Sequence, residues 1–588
     1  MRNVGSGYVP YADERWSDAR VVFEIVDTDA AEKAEVAASE GAEISRLPQT
    51  HDRIGEMSNK LASLELNSFI LDDTFVLPNR DENGEVGWWS NAISGSQGLF
   101  AEAQVLEFSF NEDQDSVGFT VVFDDKTGEC ASDFTIKVYD AAGVVLAEET
   151  VSGNTMAEYV FDLPVLGYRK VRLSFEKTLL PQRRVRVCEV IFGIMERFTG
   201  DNMKELSILY ELSPTMESLP MGEFSITIDN ASRKYNLINP SGVYKYLQRG
   251  QELRAELGVG GQRGSLEYVD MGRFYFAGVS AEDSAMTARI TAYDRIYLLD
   301  RGIYRRGKND TGTVSEVVSD ILSDSGYSFS ILMPEDVSSR VIGWNVPLVT
   351  YREALRMVCQ AARCCCFIDR DGNLVFRDIV RGTVRDTLSS NNLRSPAKVT
   401  IAEVVGAVEV NAVSFATSSK NVSEIYKDSV VVNGTKAVWV TYDASEITSY
   451  SCTGGSIDSA ECFLYAARLV ITASGEAVLT LNGRSLEEHQ TLYRATDASG
   501  ESEEGVVRVD NPLIRAASAQ DFADWMLAVR QKRVKYALSE RMNPAREIGD
   551  TVKIYDAYGE NRDAVVVKEE YCFDGTLSGS SEAWEGRS

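Results

Sequence analysis

Short runs in which apolar and polar residues alternate, each long enough for one β-strand and each closed by a turn signal, recur along most of the chain. A period of two puts every apolar side chain of a strand on one face, so a chain written this way must bury the faces of several sheets. Residues 18–27 (DARVVFEIVD) form one such run. Residues 104–110, 116–123, 134–139, 144–149, 158–163 and 170–175 follow as a series, with turns at 125–128 and 140–143. Strands at that spacing with no helix between them predict a β-sandwich. Residues 223–229, 273–278 and 288–293 continue the pattern in a second all-β region. More strands are predicted at 398–414, 428–442, 477–481, 551–555 and 563–573. The Ala/Glu-rich stretch 30–43 reads as a short helix or a loop.

The period changes in only a few places. Val314, Val317, Val318, Ile321 and Leu322 carry the spacing of an amphipathic helix. A second helix is predicted over residues 351–362, with Thr350 as N-cap and Glu353 completing a capping box, and a hairpin should turn at Asp371-Gly372 after it. A last helix is expected over 519–532. At 588 residues the chain exceeds the size one core can serve, so three to five domains are expected.

Several function classes are disfavoured. The net charge of −29 is spread along the whole length, and such surfaces repel duplex nucleic acid unless basic residues cluster. The densest basic run, Arg183, Arg184 and Arg186, reads as a solvated strand face. Tight nucleic-acid binding is therefore not expected, whereas an acidic wall past which DNA slides is compatible with the charge. No window holds the roughly 18 consecutive apolar residues of a membrane helix, and the segment after Met1 lacks a signal-peptide core, so neither membrane insertion nor export is expected. Nine scattered cysteines make no disulfide framework. Cys359 falls on the apolar side of the second helix and Cys364, Cys365 and Cys366 lead into a strand, so they read as buried thiols rather than zinc ligands.

The chain has only two histidines, His51 and His489, both in polar surroundings that suit no nucleophilic triad. Gly258–Gly264 opens no helix and cradles no phosphate. Asp369–Asn373 begins like a calcium loop, but Leu374 and Val380 stand where that loop needs Gly and Glu. The expectation is a protein with no catalytic residue, no cofactor and no metal.

One stretch points further: Gly222-Glu-Phe-Ser-Ile-Thr-Ile-Asp-Asn230, then Asn239-Pro240, Tyr244, Tyr246-Leu247 and Gly250-Gln-Glu-Leu-Arg254. It resembles a segment of the baseplate hub proteins of bacteriophage and prophage tails. Asp510-Asn-Pro-Leu-Ile514, Trp525, Gly549-Asp550-Thr-Val-Lys-Ile-Tyr555 and Phe573-Asp-Gly575 resemble the late part of the same family. The resemblance covers residues 15–30 and 197–588. It implies a mainly β, multidomain chain: an N-terminal arm and first strand of barrel one (1–60), an inserted β-sandwich (61–196), barrel one (197–311) and a small α/β module (312–385). Barrel two would then take residues 386–518, with an inserted β region, and a helix and closing strands at 519–588.

The resemblance further implies a homotrimer in which the two related tube-type β-barrels of each chain build a pseudo-sixfold ring. Such a ring contacts a tail tube or distal tail protein, a tape measure protein and a spike or fibre protein. It lies at the tail tip of a virion assembled in the host cytoplasm and passes DNA. Asn239, Pro240, Tyr244, Tyr246 and Leu247 are the candidate assembly residues, because apolar area in a loop is unfavourable to expose.

Residues 67–196 resemble the galactose-binding or discoidin-like sandwich of carbohydrate-binding modules. Trp88 and Trp89, beside Asn91, are candidates to stack on sugars of a host cell-wall polysaccharide. The alternative for both tryptophans is the sandwich core. Two functional classes thus compete: a ring-forming structural hub, and a glycan-binding tail-tip adhesin with the sandwich as its working end.

Overall fold

The computed structural model describes residues 1–586 except 3, 5–7, 10, 12–16, 27–29, 67, 80–82, 240–241, 261–265, 283–285, 418–420, 498–504 and 556–560. The fold is mainly β and multidomain. Its centre is one 13-stranded sheet. The first half uses β1 Ser17–Val26, β2 Gly193–Phe198, β3 Met203–Glu211, β4 Glu223–Asp229, β5 Glu252–Gly260, β6 Leu266–Ser280 and β7 Thr287–Tyr293. The second uses β8 Val384–Leu388, β9 Lys398–Ile401, β10 Val534–Glu540, β11 Thr551–Tyr555, β12 Asn561–Phe573 and β13 Leu577–Trp584. The order is β2-β1-β5-β6-β7-β4-β3-β12-β13-β10-β9, with β11 also on β12 and β8 parallel to β11.

The alternation seen in the sequence sets this core. Phe224, Ile226 and Ile228 of β4 and Ala19, Val21, Phe23 and Ile25 of β1 point inward, and they join Leu538, Val552, Ile554 and Val566 of the second half in one cluster. The two barrels expected from the sequence therefore share a sheet and a core. Antiparallel pairing of β3 with β12, from Leu206↔Phe573 to Glu211↔Lys568, fuses them.

The sandwich lies between β1 and β2, and these strands pair so that Val26 stands opposite Gly193. The insertion thus leaves and re-enters the sheet at adjacent positions. Its five-stranded layer runs Glu35–Ala38, Leu99–Ser116, Val165–Thr178, Ala131–Tyr139, Val145–Val151, and its four-stranded layer Glu158–Phe161, Phe119–Phe123, Arg186–Ile191, Trp88–Trp89. Phenylalanines 108, 119, 123, 134 and 175 fill the space between.

The sandwich also takes in residues ahead of the expected boundary at 61. After one helical turn at Ala30–Lys33, Glu35–Ala38 pairs with the long strand from Leu106 to Ser109. Ala and Glu favour helix locally, but an open sheet edge overrides that preference.

A second core packs the helices. α1 Val314–Ser325 starts at a full Thr313/Glu316 capping box and ends at Gly326 in the left-handed region. α2 Tyr351–Ala362 is capped by the Thr350 hydroxyl, which accepts from the Glu353 amide, but the expected box is only half formed, because the Glu353 carboxylate turns to Arg356 one turn on. The hairpin follows as Cys365–Ile368 and Leu374–Arg377. α3 Ala516–Arg530 and strand Ala407–Thr417 belong to this core rather than to barrel two: Val408, Val410 and Phe522 share a cluster with Val318 and Leu355.

The β region inside 386–518 is a folded meander of Ser423–Thr441, Ser445–Cys462 and Ala466–Thr496. Thr441 pairs with Ala466, and Ser445 with Ser485. Four residue steps span at most about 14 Å, whereas Ala466 and Ser485 would lie about 63 Å apart on a straight strand. All three strands therefore fold back on themselves. They do so at Gly434, Gly454 and Gly475, each with positive φ, and Leu469 and Ile471 pack in one core with Leu479 and Leu481.

Candidate assembly site: the joint between the half-sheets

The joint is built around two arginines that enter from outside the fused strands. Tyr210 of β3 and Tyr571 of β12 lie on neighbouring strands, their ring centroids 6.3 Å apart. Arg370, from the turn of the second-core hairpin, sets its guanidinium 5.2 Å from the Tyr210 ring and 5.5 Å from the Tyr571 ring. It donates to the Arg546 carbonyl (2.8 Å), the Tyr571 hydroxyl (3.2 Å) and the Pro544 carbonyl. A planar donor fork that also stacks on aromatic faces suits this place, and an ammonium would not. Gly272, at φ +94°, lets β6 pass close by, since a Cβ there would stand 3.3 Å from the Arg370 Cα.

Arg546 is fully buried one step deeper. It makes a fork with Glu540 (2.7 and 2.9 Å), reaches Glu569 at 2.5 Å and lies 3.6 Å from Asp386. Burial raises the Glu569 carboxyl above the usual carboxylate range, and the Arg546 and Arg370 charges only partly oppose this. Burial likewise pushes the Tyr571 phenol well up, and Glu569 adds to the effect. The site thus clamps segments from β3, β8, β10, β12 and the second core into one geometry. It offers no exposed nucleophile.

The residues singled out by sequence fall elsewhere. Trp88 and Trp89 are completely buried. Trp88 packs in the sandwich core with Phe175, and Trp89 lies under Arg186, 3.9 Å from its guanidinium. That corrects their reading as sugar-stacking platforms, because the short strand they form is zipped to Arg186–Ile191 and turned inward. Asn91 is exposed, but the indoles do not flank it at the surface.

Arg183 and Arg186 are buried too, which overturns the solvated-face reading. Asp124, Glu129 and Glu65 receive them from loops distant in sequence.

Asn239 staples its own loop, its amide donating to the Arg233 carbonyl at 2.8 Å. Pro240 lies outside the described residues. Tyr246 and Leu247 pack on the first core, so their apolar area is used within the chain, and Tyr244 is half-buried. The other Asn-Pro motif does not join the halves either. Asn511 is fully buried and donates to the Met357 carbonyl (2.8 Å) and Gln360 (3.1 Å) of α2. Arg370, which sequence reasoning passed over, carries the joint. Its only local signal is a charged residue in a turn.

Among the described residues no group of three or more His, Cys, Asp or Glu could hold a metal ion, and no helix is long and apolar enough to cross a membrane. A cleft of about 850 Å³ separates the sandwich from β1, β5 and β6 and is lined by charges that include Glu24 paired with Arg53 and Arg254. Burial and the neighbouring Glu252 raise the Glu24 carboxyl.

No known family profile and no curated protein matches the chain. Solved structures do. A 43 kDa tail protein of prophage MuSo2 from Shewanella oneidensis is 13% identical with a TM-score of 0.38, the match covering 66% of this chain and 95% of that one. Prophage tail protein gp18 from Listeria monocytogenes is 10% identical with a TM-score of 0.36, over 78% and 95%. A family 32 carbohydrate-binding module from C. perfringens, solved with galactose, is 12% identical with a TM-score of 0.19, over 30% of this chain and 99% of that one. At these identities and scores the functional reading rests on the chain's own residues.

Proposed function

We propose that the chain is a structural hub of a phage-type tail, three copies of which close a ring that continues the tail tube, seats a spike or fibre and passes DNA. The observation that carries this reading is the β3–β12 pairing. It gives one chain two half-sheets in a single continuous sheet, and the buried Arg370 and Arg546 contacts hold their relative angle. A rigid two-arc unit is what a ring of three chains with six similar arcs requires, since a closed ring tolerates little variation in the angle each subunit contributes. The spread of the −29 charge suits a channel that a polyanion must cross without sticking.

In this reading the protein is no enzyme, and its partners are a tube or distal tail protein, a tape measure protein and a spike or fibre. The loop with Asn239, Tyr244 and the exposed Leu237 and Ile238 remains the candidate contact between barrels of neighbouring copies. The test is purified protein titrated with duplex DNA at physiological salt. A three-copy species that leaves DNA unshifted supports the hub. A monomer, or a strong DNA shift, contradicts it.

A further inference from the structure

The sandwich carries an apolar loop that the described chain leaves uncovered. Among the described residues of 62–79, regular structure is confined to the two-residue strand Phe75–Val76. Leu64 and Leu71 are fully exposed, and Leu66, Ile70 and Leu77 are 60%, 62% and 76% exposed. Single exposed leucines are ordinary on a protein surface, but five large apolar side chains exposed in one short loop concentrate uncovered apolar area there.

The loop nonetheless stands on a fixed base. Between Leu64 and Leu66, the Glu65 side chain is buried 3.2 Å from Arg186, whose other contacts are Asp124 at 2.7 Å and Glu129 at 3.0 Å. The Arg184 amide donates to Glu65 at 2.9 Å, and the Arg183 guanidinium donates to the Leu66 carbonyl. With Glu65 turned inward, Leu64 and Leu66 are held outward. Beside Leu71 the patch is acidic: Asp72 and Asp73 are exposed, and hydrogen bonds from the Thr74 hydroxyl and amide keep Asp72 below the usual carboxylate range. A long, anchored, apolar loop with an acidic border is the form of a docking element.

The same chain presents the complementary surface. β9 is the last strand of the large sheet, and among the described residues it pairs only with β10. All four of its residues are exposed; Val399 and Ile401 are 55% and 67% exposed, and nearby Val404 is 53% exposed. Lys398 and Lys535 border them, with Lys535 directly opposite Thr400. An unpaired edge with exposed apolar side chains is a template for association, and here Lys398 and Lys535 flank the strand itself while Glu403 lies just past its end.

We propose that these surfaces meet between copies, the loop around Leu64 and Leu71 of one chain seating on the Lys398–Ile401 edge of another. Apolar area is matched with apolar area, and Asp72 and Asp73 with Lys398 and Lys535. Such a head-to-tail contact generates a ring or a filament rather than a two-fold dimer. The inference deepens the ring reading and rests on it in requiring several copies. An anionic membrane is a poor occupant, because Asp72, Asp73 and the overall charge oppose it.

Two double variants of the full chain test the contact, Leu64→Ser with Leu71→Ser and Val399→Ser with Ile401→Ser. All four side chains are exposed, so both variants keep the parent circular dichroism. In sedimentation velocity each variant alone should associate at least tenfold more weakly than the parent. An equimolar mixture should regain a two-chain species, because one intact loop then meets one intact edge. A parent assembly that neither variant weakens overturns this contact and leaves the ring standing, whereas a parent monomeric at every concentration overturns both. Weakening by the loop variant alone with no rescue in the mixture overturns it in favour of a loop–loop contact. Flotation of the parent but not the loop variant with phosphatidylcholine vesicles overturns it in favour of a bilayer.

Discussion

Arg546 is where a single side chain matters most. With the guanidinium gone, Glu540 and Glu569 would be left buried with one donor fewer, and breaking one partner of a buried ion set costs about 3–5 kcal/mol. Arg546→Leu should lower the unfolding free energy by that amount in denaturant titrations, while Arg530→Leu, which removes a surface pair with Glu217, should cost under about 1 kcal/mol. Asp294 gives a pH signature. It caps the turn at Arg295–Asp300, accepting from the Ile296 amide at 2.9 Å and the Gly222 amide at 2.5 Å, yet burial lifts its carboxyl from 3.8 to about 7. The folded state then holds a proton that the unfolded chain releases, so stability should fall as pH rises from about 4 to about 7 and level off above. Asp294→Asn should flatten that slope in pH-dependent denaturant melts. Neither Arg546 nor Arg370 advertised itself in the sequence. Arg546 needs Glu569, 23 positions away, and Arg370 needs a tyrosine 201 positions away, and such pairings appear only once the sheet order is known.

Among the elements, the amphipathic helices were the most legible: period alone marked α1, and period and N-cap agreed for α2 at Thr350, while the Thr313 box that starts α1 went unread. The long strands of the sheet were legible from alternation alone. The folded meander was not: Ser449–Ser456 is a run of small and polar residues with no period, and its strands are defined by three glycines that align across the fold. Those glycines make a graded prediction. At Gly454 a Cβ would come within 2.7 Å of the Glu476 carbonyl at a φ of +91°, whereas at Gly434, also at +91°, nothing lies within 4 Å. Gly434→Ala should cost about 1 kcal/mol for the backbone angle alone, and Gly454→Ala about 2–3 kcal/mol or more, because strain and overlap add. Hydrogen exchange over residues 423–485 reads both, and equal protection in the two variants would contradict the fold-back.

For the whole molecule, the sandwich insertion makes the sharpest structural test. Val26 and Gly193 face each other across β1 and β2, so replacing residues 27–192 with an Asn-Gly turn should convert the two strands into a hairpin and leave the large sheet intact. The shortened chain should still unfold cooperatively and retain β circular dichroism; an insoluble or molten product would show that the sandwich is integral to the sheet. The alternating run at 18–27, which needed partners from beyond residue 197, anticipated an insertion after the first strand, but nothing local anticipated how β3 meets β12, since Leu206 and Phe573 pair across most of the chain. If, as proposed, this rigid pair of half-sheets is one third of a ring, electron microscopy of the purified protein viewed along its symmetry axis should show a closed ring of three chains with six similar arcs around an open channel; single chains, or an assembly with no channel, would refute the proposal.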